Sequence, residues 1–296
     1  KYIMEKFKEL YAQYDFNFTD DDVKKEVEKI LSENYDKYNN IDTYKQCFNL
    51  IDLTSLNSWD TEEEIGAMME KVNTFQEHYS DMPNVAAVCV YPALVPAAKA
   101  TLEAEGVNIA AVSACFPSSQ TFIEAKIAEV GLTVAAGANE IDVVISLGKF
   151  FSGFHTEVFD ELSEIKAACG AAHLKVILET GAMHNMKEIK QASLIAMNAE
   201  ADFIKTSTGK TQPAATLEAA LVMCKTIKEY YDKTGIKVGF KPAGGISTTE
   251  DAVKYYTIVR TILGEEWMNN TLFRFGASRL ANNLLSSIYK KEVKYF

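Results

Sequence analysis

From residue 45 onward, short runs of apolar and β-branched residues alternate with longer segments that carry apolar residues at helical spacing. This alternation constrains the fold most, because a strand joined to the next by a helix normally lies parallel to it. The predicted strands are Cys47–Leu53, Val85–Tyr91, Ile109–Phe116, Glu140–Ser146, Leu174–Glu179, Phe203–Ser207, Lys237–Lys241 and Leu272–Gly276. The predicted helices are Glu62–Tyr79, Val95–Glu105, Thr121–Ala136, Glu157–Ala168, Met186–Asn198, Thr216–Asp232, Thr249–Leu263 and Ala277–Tyr289.

Eight strands, each followed by a helix, predict a protein of the α/β class folded as a (β/α)8 TIM barrel. A doubly wound parallel sheet is the alternative for the same alternation. We favour the barrel because eight units suit it and because no Gly-x-Gly-x-x-Gly motif follows an early strand. Catalytic residues of such barrels lie at the carboxyl ends of the strands, so polar residues there are the candidates for function.

Residues 1–44 have a different pattern, which predicts a helical N-terminal extension before the barrel of residues 45–296. The acidic run 20–22 suits a helix N-terminus, and Val23, Val27 and Ile30 follow at helical spacing. An earlier apolar stripe consists of Tyr2, Ile3, Phe7, Leu10, Tyr11 and Tyr14. We expect the extension to cover the barrel or to form a subunit contact, and it contains no candidate catalytic residue.

The formal net charge of −11 and the pI near 5.0 argue against nucleic acid and anionic membrane as partners. The chain has five cysteines but no Cys-x-x-Cys motif or Cys/His cluster, so we expect neither a disulfide framework nor a metal site. No apolar run is long enough to span a membrane, and no signal region opens the sequence. We therefore expect a cytoplasmic protein.

The segment from Ala201 to Lys210 places Lys205 in the middle of a strand predicted to be buried. Burial of an ammonium group is costly unless the group is paired or loses its proton. A second strand, ending at Lys241, repeats the pattern of a lysine followed by a glycine turn. Each lysine alone could simply pack its stem and extend its amine into water. The repetition favours a functional pair.

Two neighbouring lysines have a specific chemical use. At a separation of 4–6 Å and an effective dielectric constant near 20, their repulsion is about 3–4 kcal/mol, which lowers a pKa by roughly 2 units. A lysine that is neutral near pH 7 can attack a carbonyl carbon and form an imine. The imine then accepts electrons when a neighbouring carbon–carbon bond breaks or forms.

Two further features lie at the predicted carboxyl ends of strands. Asp142 has the opposite parity to its apolar neighbours in the strand, so we interpret it as an acid or base beside the lysines, with a structural salt bridge as the alternative. Glycine turns follow the seventh strand at Gly244 and Gly245 and the eighth at Gly276. Barrels often bind phosphate at these two turns, where backbone N–H groups and helix N-termini are available.

Several segments together closely resemble the 2-deoxyribose-5-phosphate aldolase family, over about eight-tenths of the chain. The most specific are Phe-Ile-Lys-Thr-Ser-Thr-Gly at 203–209 and Gly-Phe-Lys-Pro-Ala-Gly-Gly at 239–245. The others are residues 50–57, 89–92, 139–144, 175–181 and 274–278. The resemblance implies a class I aldolase without metal or cofactor. Its expected reaction is the reversible cleavage of 2-deoxy-D-ribose 5-phosphate to D-glyceraldehyde 3-phosphate and acetaldehyde.

The resemblance also implies roles for individual residues. Lys205 corresponds to the residue that forms the Schiff base, and Lys241 and Asp142 correspond to the proton-transfer pair. Asp52 and Thr208 are candidates for binding sugar hydroxyls, with a structural role equally open for each. The implied phosphate site consists of Gly209, Lys210, Gly244, Gly245, Gly276 and Ser278. The expected partner is thus a small-molecule sugar phosphate, and a homodimer is left open as the assembly.

The chain departs from the family pattern at three places. Ser247 replaces a basic residue, Arg279 replaces a second serine, and the sequence ends in Tyr295-Phe296 instead of a tyrosine that reaches the site. These departures leave the details of phosphate binding and of a C-terminal lid open. An aldolase acting on a different aldehyde or sugar phosphate is the nearest alternative. A flavin-binding barrel would not need two strand lysines, and a non-catalytic sugar-phosphate sensor would be expected to lose one of the three catalytic candidates.

Overall fold

The computed structural model describes residues 5–296, and within them eight parallel strands form a single sheet that curves into a barrel. Each strand pairs with the next in sequence, and β1 also pairs with β8. Two isolated bridges, Phe240 with Phe273 and Ala243 with Gly276, connect β7 and β8 through the residues next to them. The barrel prediction is confirmed. The strands are β1 (Ile51–Thr54), β2 (Ala87–Val90), β3 (Asn108–Val112), β4 (Glu140–Val144), β5 (His173–Ile177), β6 (Phe203–Lys205), β7 (Gly239–Lys241) and β8 (Phe275–Ala277).

The described residues also form twelve α-helices, most of which surround the barrel. Capping boxes begin three of them, at Thr19, Thr61 and Thr248, where the threonine side chain and an acidic residue three positions later satisfy two backbone N–H groups. The helices are α1 (Glu5–Tyr11), α2 (Asp20–Tyr38), α3 (Ile41–Asn49), α4 (Glu62–His78), α5 (Val95–Thr101), α6 (Ile123–Ala135), α7 (Leu147–Phe151), α8 (His155–Cys169), α9 (Met186–Asn198), α10 (Leu217–Thr234), α11 (Thr249–Leu263) and α12 (Arg279–Tyr289).

The predicted boundaries of the first and last strands are wrong by several residues. Residues 47–49 belong to α3, because Asn40 caps that helix through Thr43 N and the apolar pair Cys47 and Phe48 is buried on one face of it. β1 therefore begins only at Ile51, and β8 begins at Phe275 instead of Leu272. The short helix α7 was not predicted at all. A division of the chain at residue 44 stays a prediction, and α3 spans that position.

The extension lies against the outside of the barrel. The ring of Phe7 in α1 packs on Phe159 in α8 with centroids 5.7 Å apart, and Tyr11 Oη lies 2.8 Å from His155 Nδ1. At the start of α2, Asp20 accepts a hydrogen bond of 3.0 Å from Met186 N, at the first residue of α9. Two residues of the predicted apolar stripe, Tyr2 and Ile3, lie outside the described residues.

Strand register brings polar side chains from distant parts of the sequence to the same level of the barrel. Asp142 is paired with Lys175, Ile177 with Lys205, and Lys205 with Lys241. These strands are buried on both faces, as expected when helices cover a parallel barrel. The charged residues among them are therefore enclosed by the core.

Candidate active site

A cavity of about 540 Å³ opens at the carboxyl ends of β1, β6, β7 and β8. The lysine of β6 reaches it from the barrel interior, and the loops that follow the four strands form its walls. Its lining is Thr54, Ser55, Leu56, Asn57, Lys205, Thr208, Gly209, Lys210, Ala243, Gly244, Gly245, Ile246, Ser247, Gly276, Ala277, Ser278 and Arg279. The location matches the general position of catalytic sites in barrels of this class.

Lys205 is 3% exposed and donates a hydrogen bond of 2.9 Å from Nζ to Asp142 Oδ2. Lys241, which is fully buried, donates to the same oxygen at 2.7 Å. The two lysines thus share one carboxylate oxygen across strands β4, β6 and β7. The structure brings together the three side chains that the sequence suggested as catalytic candidates.

The two lysines differ in their protonation. Burial lowers the pKa of Lys205 below its usual range, and Lys241 lowers it further, while Asp142 acts in the opposite direction. For Lys241, burial acts in the same lowering sense, but Asp142 and Asp52 outweigh it and raise the pKa above the usual range. Of the two, Lys205 is therefore the one that loses its proton more readily, and Lys241 is an ammonium. Burial affects Lys205 more than the second cation does, which the sequence did not indicate.

Asp142 is ionised. Although burial raises its pKa, the neighbouring lysines Lys175, Lys205 and Lys241 together hold that pKa far below the usual range of an aspartate. Its Oδ1 atom is buried without a hydrogen-bond partner among the described residues, and it forms an ion pair with Lys175 Nζ at 3.3 Å. One carboxylate oxygen thus keeps unused capacity to accept a proton or a hydrogen bond.

A second group of charges lies next to the lysine pair, and of its members the sequence analysis selected only Asp52. Lys175 Nζ contacts Glu140 Oε1 at 2.6 Å and Asp52 Oδ2 at 2.8 Å. Arg274 donates to Asp52 at 2.7 Å and to both oxygens of Glu140 at 2.8 and 2.9 Å. All are 0–4% exposed. A charged residue inside an apolar strand is the same signal that identified Lys205, and it was available for Lys175 and Glu140.

Asp52 has a different environment from that expected of a residue that binds sugar hydroxyls. It is fully buried, it does not line the cavity, and its carboxylate accepts from Lys241 at 2.5 Å as well as from Lys175 and Arg274. These cations lower its pKa despite burial. The geometry favours the structural alternative, in which Asp52 orients Lys241.

Thr208 does line the cavity, and it is held in place by Glu179. The Thr208 hydroxyl donates to Glu179 Oε2 at 2.7 Å, and its N–H donates to Oε1 at 3.1 Å. The same hydroxyl accepts from Lys210 N at 3.0 Å, and the Lys210 ammonium donates to Leu56 O. These bonds fix the turn of Gly209 next to the lysine of β6.

The glycine turns of β7 and β8 form the outer wall of the cavity. Gly244 has a φ of +88°, and a Cβ atom there would lie 2.6 Å from Ala214 Cβ. At Gly276, a Cβ atom would lie 2.7 Å from Ala243 Cβ and 3.1 Å from Lys241 Cε. Larger residues would not fit at either position without displacement of neighbours, so both turns present bare backbone to the cavity.

The two helices that follow these turns differ at their N-termini. The N-terminus of α11 is closed by the capping box of Thr248 and Asp251. The N-terminus of α12 is not, because Ser278, its N-cap residue, makes no side-chain capping bond, and both Ser278 and Arg279 line the cavity. Of the two helix ends expected to favour an anion, α12 is the one with uncapped N–H groups.

The final residues lie away from this cavity. Tyr295 Oη donates to Lys71 O at 2.7 Å, and the Phe296 ring stacks on Phe75 with centroids 5.6 Å apart. Lys71 and Phe75 belong to the last half of α4, which is directed toward the amino ends of the strands. The backbone N–H groups of Tyr295 and Phe296 both donate to Asn282 Oδ1 at 3.0 Å. In this conformation the C-terminal tyrosine does not form a lid over the site.

Within residues 5–296, no group of three or more His, Cys, Asp and Glu side chains is arranged to hold a metal ion. In the same part of the chain, none of the helices has the length and apolar character needed to cross a bilayer.

A barrel with a buried, deprotonable lysine beside a carboxylate and a second lysine is typical of enzymes that form an imine with a carbonyl substrate. The DeoC/LacD family of aldolases matches residues 47–261. Deoxyribose-phosphate aldolase of Homo sapiens is 43% identical over 249 residues, which cover 81% of this chain and 78% of that protein. The Bos taurus enzyme of the same name is 42% identical with the same coverage.

Among solved structures, the aldolase QR15 superimposes with a TM-score of 0.68 at 29% identity, covering 82% of this chain and 96% of that one. The chain belongs to the DeoC/LacD aldolase family. It is an enzyme of the lyase class that acts on carbon–carbon bonds.

Proposed function

We propose that this aldolase cleaves 2-deoxy-D-ribose 5-phosphate to D-glyceraldehyde 3-phosphate and acetaldehyde, and catalyses the reverse addition, through an imine on Lys205. The observation that carries the proposal is the position of Lys205: a buried amine with a lowered pKa that opens into a cavity whose far wall is made of glycine turns. The names of the human and bovine relatives support the choice of substrate.

The first half of the reaction forms the imine. The free amine of Lys205 attacks C1 of the open-chain aldehyde, and the carbinolamine oxygen takes up a proton. The ammonium of Lys241 is the donor within the site, since it shares Asp142 Oδ2 with Lys205. Water then leaves, and the lysine nitrogen becomes a positively charged iminium.

The second half breaks the carbon–carbon bond. A base removes the proton from the C3 hydroxyl, the C2–C3 electron pair moves to the iminium, and glyceraldehyde 3-phosphate leaves from a neutral enamine. Asp142, ionised and with no hydrogen bond to its Oδ1 among the described residues, is the acceptor for this proton, directly or through one water. Protonation of the enamine at C2 and hydrolysis then release acetaldehyde and restore the free amine.

The phosphate binds at the turns of β7 and β8. Backbone N–H groups at Gly244 and Gly245, the Ser278 hydroxyl and the N-terminus of α12 are short-range donors that suit a dianion. Lys210 adds a positive charge to the same cavity. Such local donors are needed because the protein as a whole has a net charge of −11 and repels a dianion at long range.

The test is covalent trapping. Borohydride added with acetaldehyde or with deoxyribose 5-phosphate should reduce the imine and leave a stable adduct on the peptide that contains Lys205. Lys205→Leu should abolish the adduct and the release of acetaldehyde, whereas Lys210→Leu, a matched change five residues away, should keep the adduct and raise KM. An adduct that maps to Lys241 or Lys210 would contradict the assignment.

We also propose that the protein works in the cytoplasm as a homodimer. All five cysteines are free thiols, which suits a reducing compartment. The side chains of Trp59, Phe122 and Leu132 are 72–80% exposed, and they are apolar surface that a second copy could cover. Light scattering on the purified protein would decide the assembly, with a mass near 32.9 kDa contradicting the dimer.

A further inference from the structure

Next to the cavity, seven ionisable side chains form one buried cluster. They are contributed by five of the eight strands and by the segment that precedes β8, and each is 0–4% exposed. Its members are the carboxylates of Asp52, Glu140 and Asp142 and the bases of Lys175, Lys205, Lys241 and Arg274. The cluster thus contains one more base than it contains acids.

The three carboxylates are shared very unequally among the four bases. Glu140 contacts Arg274 and Lys175, and it also accepts from the Asn108 amide at 2.7 Å. Asp52 contacts Arg274, Lys175 and Lys241.

Lys205 lies at the edge of the cluster. Among the described residues, its only carboxylate contact is with Asp142, and that oxygen also accepts from Lys241. Lys205 is therefore the base that the cluster can leave uncharged at the smallest cost in ion pairing.

Charge balance gives the consequence. With three carboxylates ionised, three cations make the buried cluster neutral, and a fourth would leave a net positive charge in a region of low dielectric constant. We propose that Lys175, Glu140 and Arg274 act as positioning residues that set the protonation state of Lys205, by fixing how many carboxylates remain to hold it as a cation. The proposal rests on the proposed role of Lys205 as the nucleophile.

Every titratable group around Lys205 is compatible with this account. Asp142 from β4, Lys241 from β7 and the thiol of Cys89 from β2 act on it directly. The Cys89 thiol is kept neutral because burial raises its pKa. The more distant members of the cluster are Lys175 on β5, Asp52 on β1, Glu140 on β4 and Arg274 ahead of β8.

The directions of the pKa shifts of the four bases agree with this count of three carboxylates and three cations. The pKa values of Lys175 and Arg274 are raised despite burial, because Asp142, Asp52 and Glu140 surround the lysine, and Asp52 and Glu140 flank the arginine. Lys205 is the one base of the cluster whose pKa is lowered.

The experiment uses variants that change the number of cations or carboxylates in the cluster. For each variant, imine formation with acetaldehyde is measured as a function of pH, and the imine is trapped by borohydride. Lys175→Met removes one cation, so Lys205 becomes the third. The acid limb of the profile should move toward higher pH by at least one unit, with a loss of tenfold or more at pH 7 that is recovered at alkaline pH. Glu140→Gln removes one carboxylate and should move the limb toward lower pH. The double variant restores the balance and should return the limb toward that of the unaltered enzyme.

Lys126→Met is the matched control. Lys126 is another buried lysine, 1% exposed, but it binds Ser119, Ser146 and Glu161 outside the cluster. The change should lower the melting temperature and leave the pH profile in place. Circular dichroism shows whether each variant is folded. If Lys175→Met does not fold, Glu140→Gln and Arg274→Met provide the test. The acid limb should then move toward lower pH in Glu140→Gln and toward higher pH in Arg274→Met.

Two results would overturn the proposal. One is a folded variant with an altered number of charges in the cluster whose pH profile of imine formation does not shift. The other is a shift of the same sign in Glu140→Gln and Lys175→Met, which indicates structural damage alone. Failure of the function itself is distinguishable, because the unaltered enzyme would then give no adduct on Lys205 at any pH.

Discussion

The two ends of the cavity are built on opposite principles. At the inner end, Lys205 and Lys241 are strand residues at 0–3% exposure, surrounded by fixed charges. At the outer end, Ser278 and Arg279 are exposed loop and helix-terminal residues, and the turns offer backbone N–H groups. Burial shifts pKa values, which bond making requires, whereas exposed donors can bind and release a charged group without a large cost of desolvation. In the proposed reaction, the bond-making groups are therefore buried inside the barrel, and the groups that recognise phosphate lie at its rim.

The largest effect on this difference between the two ends of the cavity is expected from a change at Lys241. Lys241→Leu removes a cation beside Lys205 and a proton donor together, so turnover at pH 7 should fall by about two or more orders of magnitude. Without that cation, the pKa of Lys205 rises, and less of the amine is free at pH 7. The residual activity should therefore increase with pH, as a pH–rate profile of kcat/KM would show. A flat profile would mean that burial alone sets the pKa.

Gly276 tests how independent the two ends are, because it lies in the outer wall and also faces Lys241 Cε. Gly276→Ala would introduce a methyl group 2.7 Å from Ala243 Cβ and 3.1 Å from Lys241 Cε. We expect kcat to fall and KM to rise, each by roughly ten- to a hundred-fold, because small displacements of catalytic groups are costly.

Gly131→Ala is the control for this change, since a Cβ atom on Gly131 meets nothing within 4 Å. It should leave both kinetic parameters unchanged. An effect of Gly276→Ala on KM alone would mean that the wall of the cavity can move without disturbing Lys241.

The smallest effect is expected at Arg279, an exposed cation that lines the cavity next to Ser278. If it compensates for the missing basic residue at Ser247, Arg279→Ala should raise KM for deoxyribose 5-phosphate several-fold. KM for unphosphorylated deoxyribose should be unaffected, because a charge-assisted bond of about 1.5–3 kcal/mol is lost only where phosphate is present. Lys291→Ala, which removes an exposed charge just beyond the other end of α12, should affect neither.

Equal changes with both substrates, or no change with either, would contradict a role for Arg279 in phosphate binding. The phosphate site would then consist of Lys210, Ser278 and the glycine turns. Measuring both substrates with both variants separates loss of a phosphate contact from a general disturbance of α12.

The catalytic candidates could be predicted from the sequence because the signal for each lies in its immediate neighbours. A lysine or aspartate inside a short apolar strand has unusual polarity for its position, and parallel strands bring their carboxyl ends to one edge of the barrel. Lys205, Lys241 and Asp142 satisfy both conditions, and in the structure the two lysine nitrogens lie 2.9 and 2.7 Å from Asp142 Oδ2. The glycine turns were recognisable in the same way, by their positions after β7 and β8.

The boundaries of strands and helices were harder to predict from the sequence, as residues 47–49 illustrate. An apolar run next to a strand resembles the strand itself, and only the cap at Asn40 and the packing of Phe48 against Phe75, with ring centroids 4.8 Å apart, make it helical. The final residues, Tyr295 and Phe296, had no local signal for where they would lie, because their partners are in α4, more than two hundred positions earlier.

The sequence by itself determined the eightfold strand–helix alternation, the lysines of β6 and β7, the aspartate of β4 and the glycine turns after β7 and β8, since each depends on periodicity or on neighbouring residues. Only the tertiary structure showed that the pKa of Lys205 is lowered while that of Lys241 is raised. That difference depends on the sum of charges contributed by β1, β4, β5, β7 and Arg274, which closure of the barrel brings together from positions 52 to 274. Electrostatic energies in a buried cluster depend on distances between atoms that are remote in the chain, and those distances exist only in the folded protein.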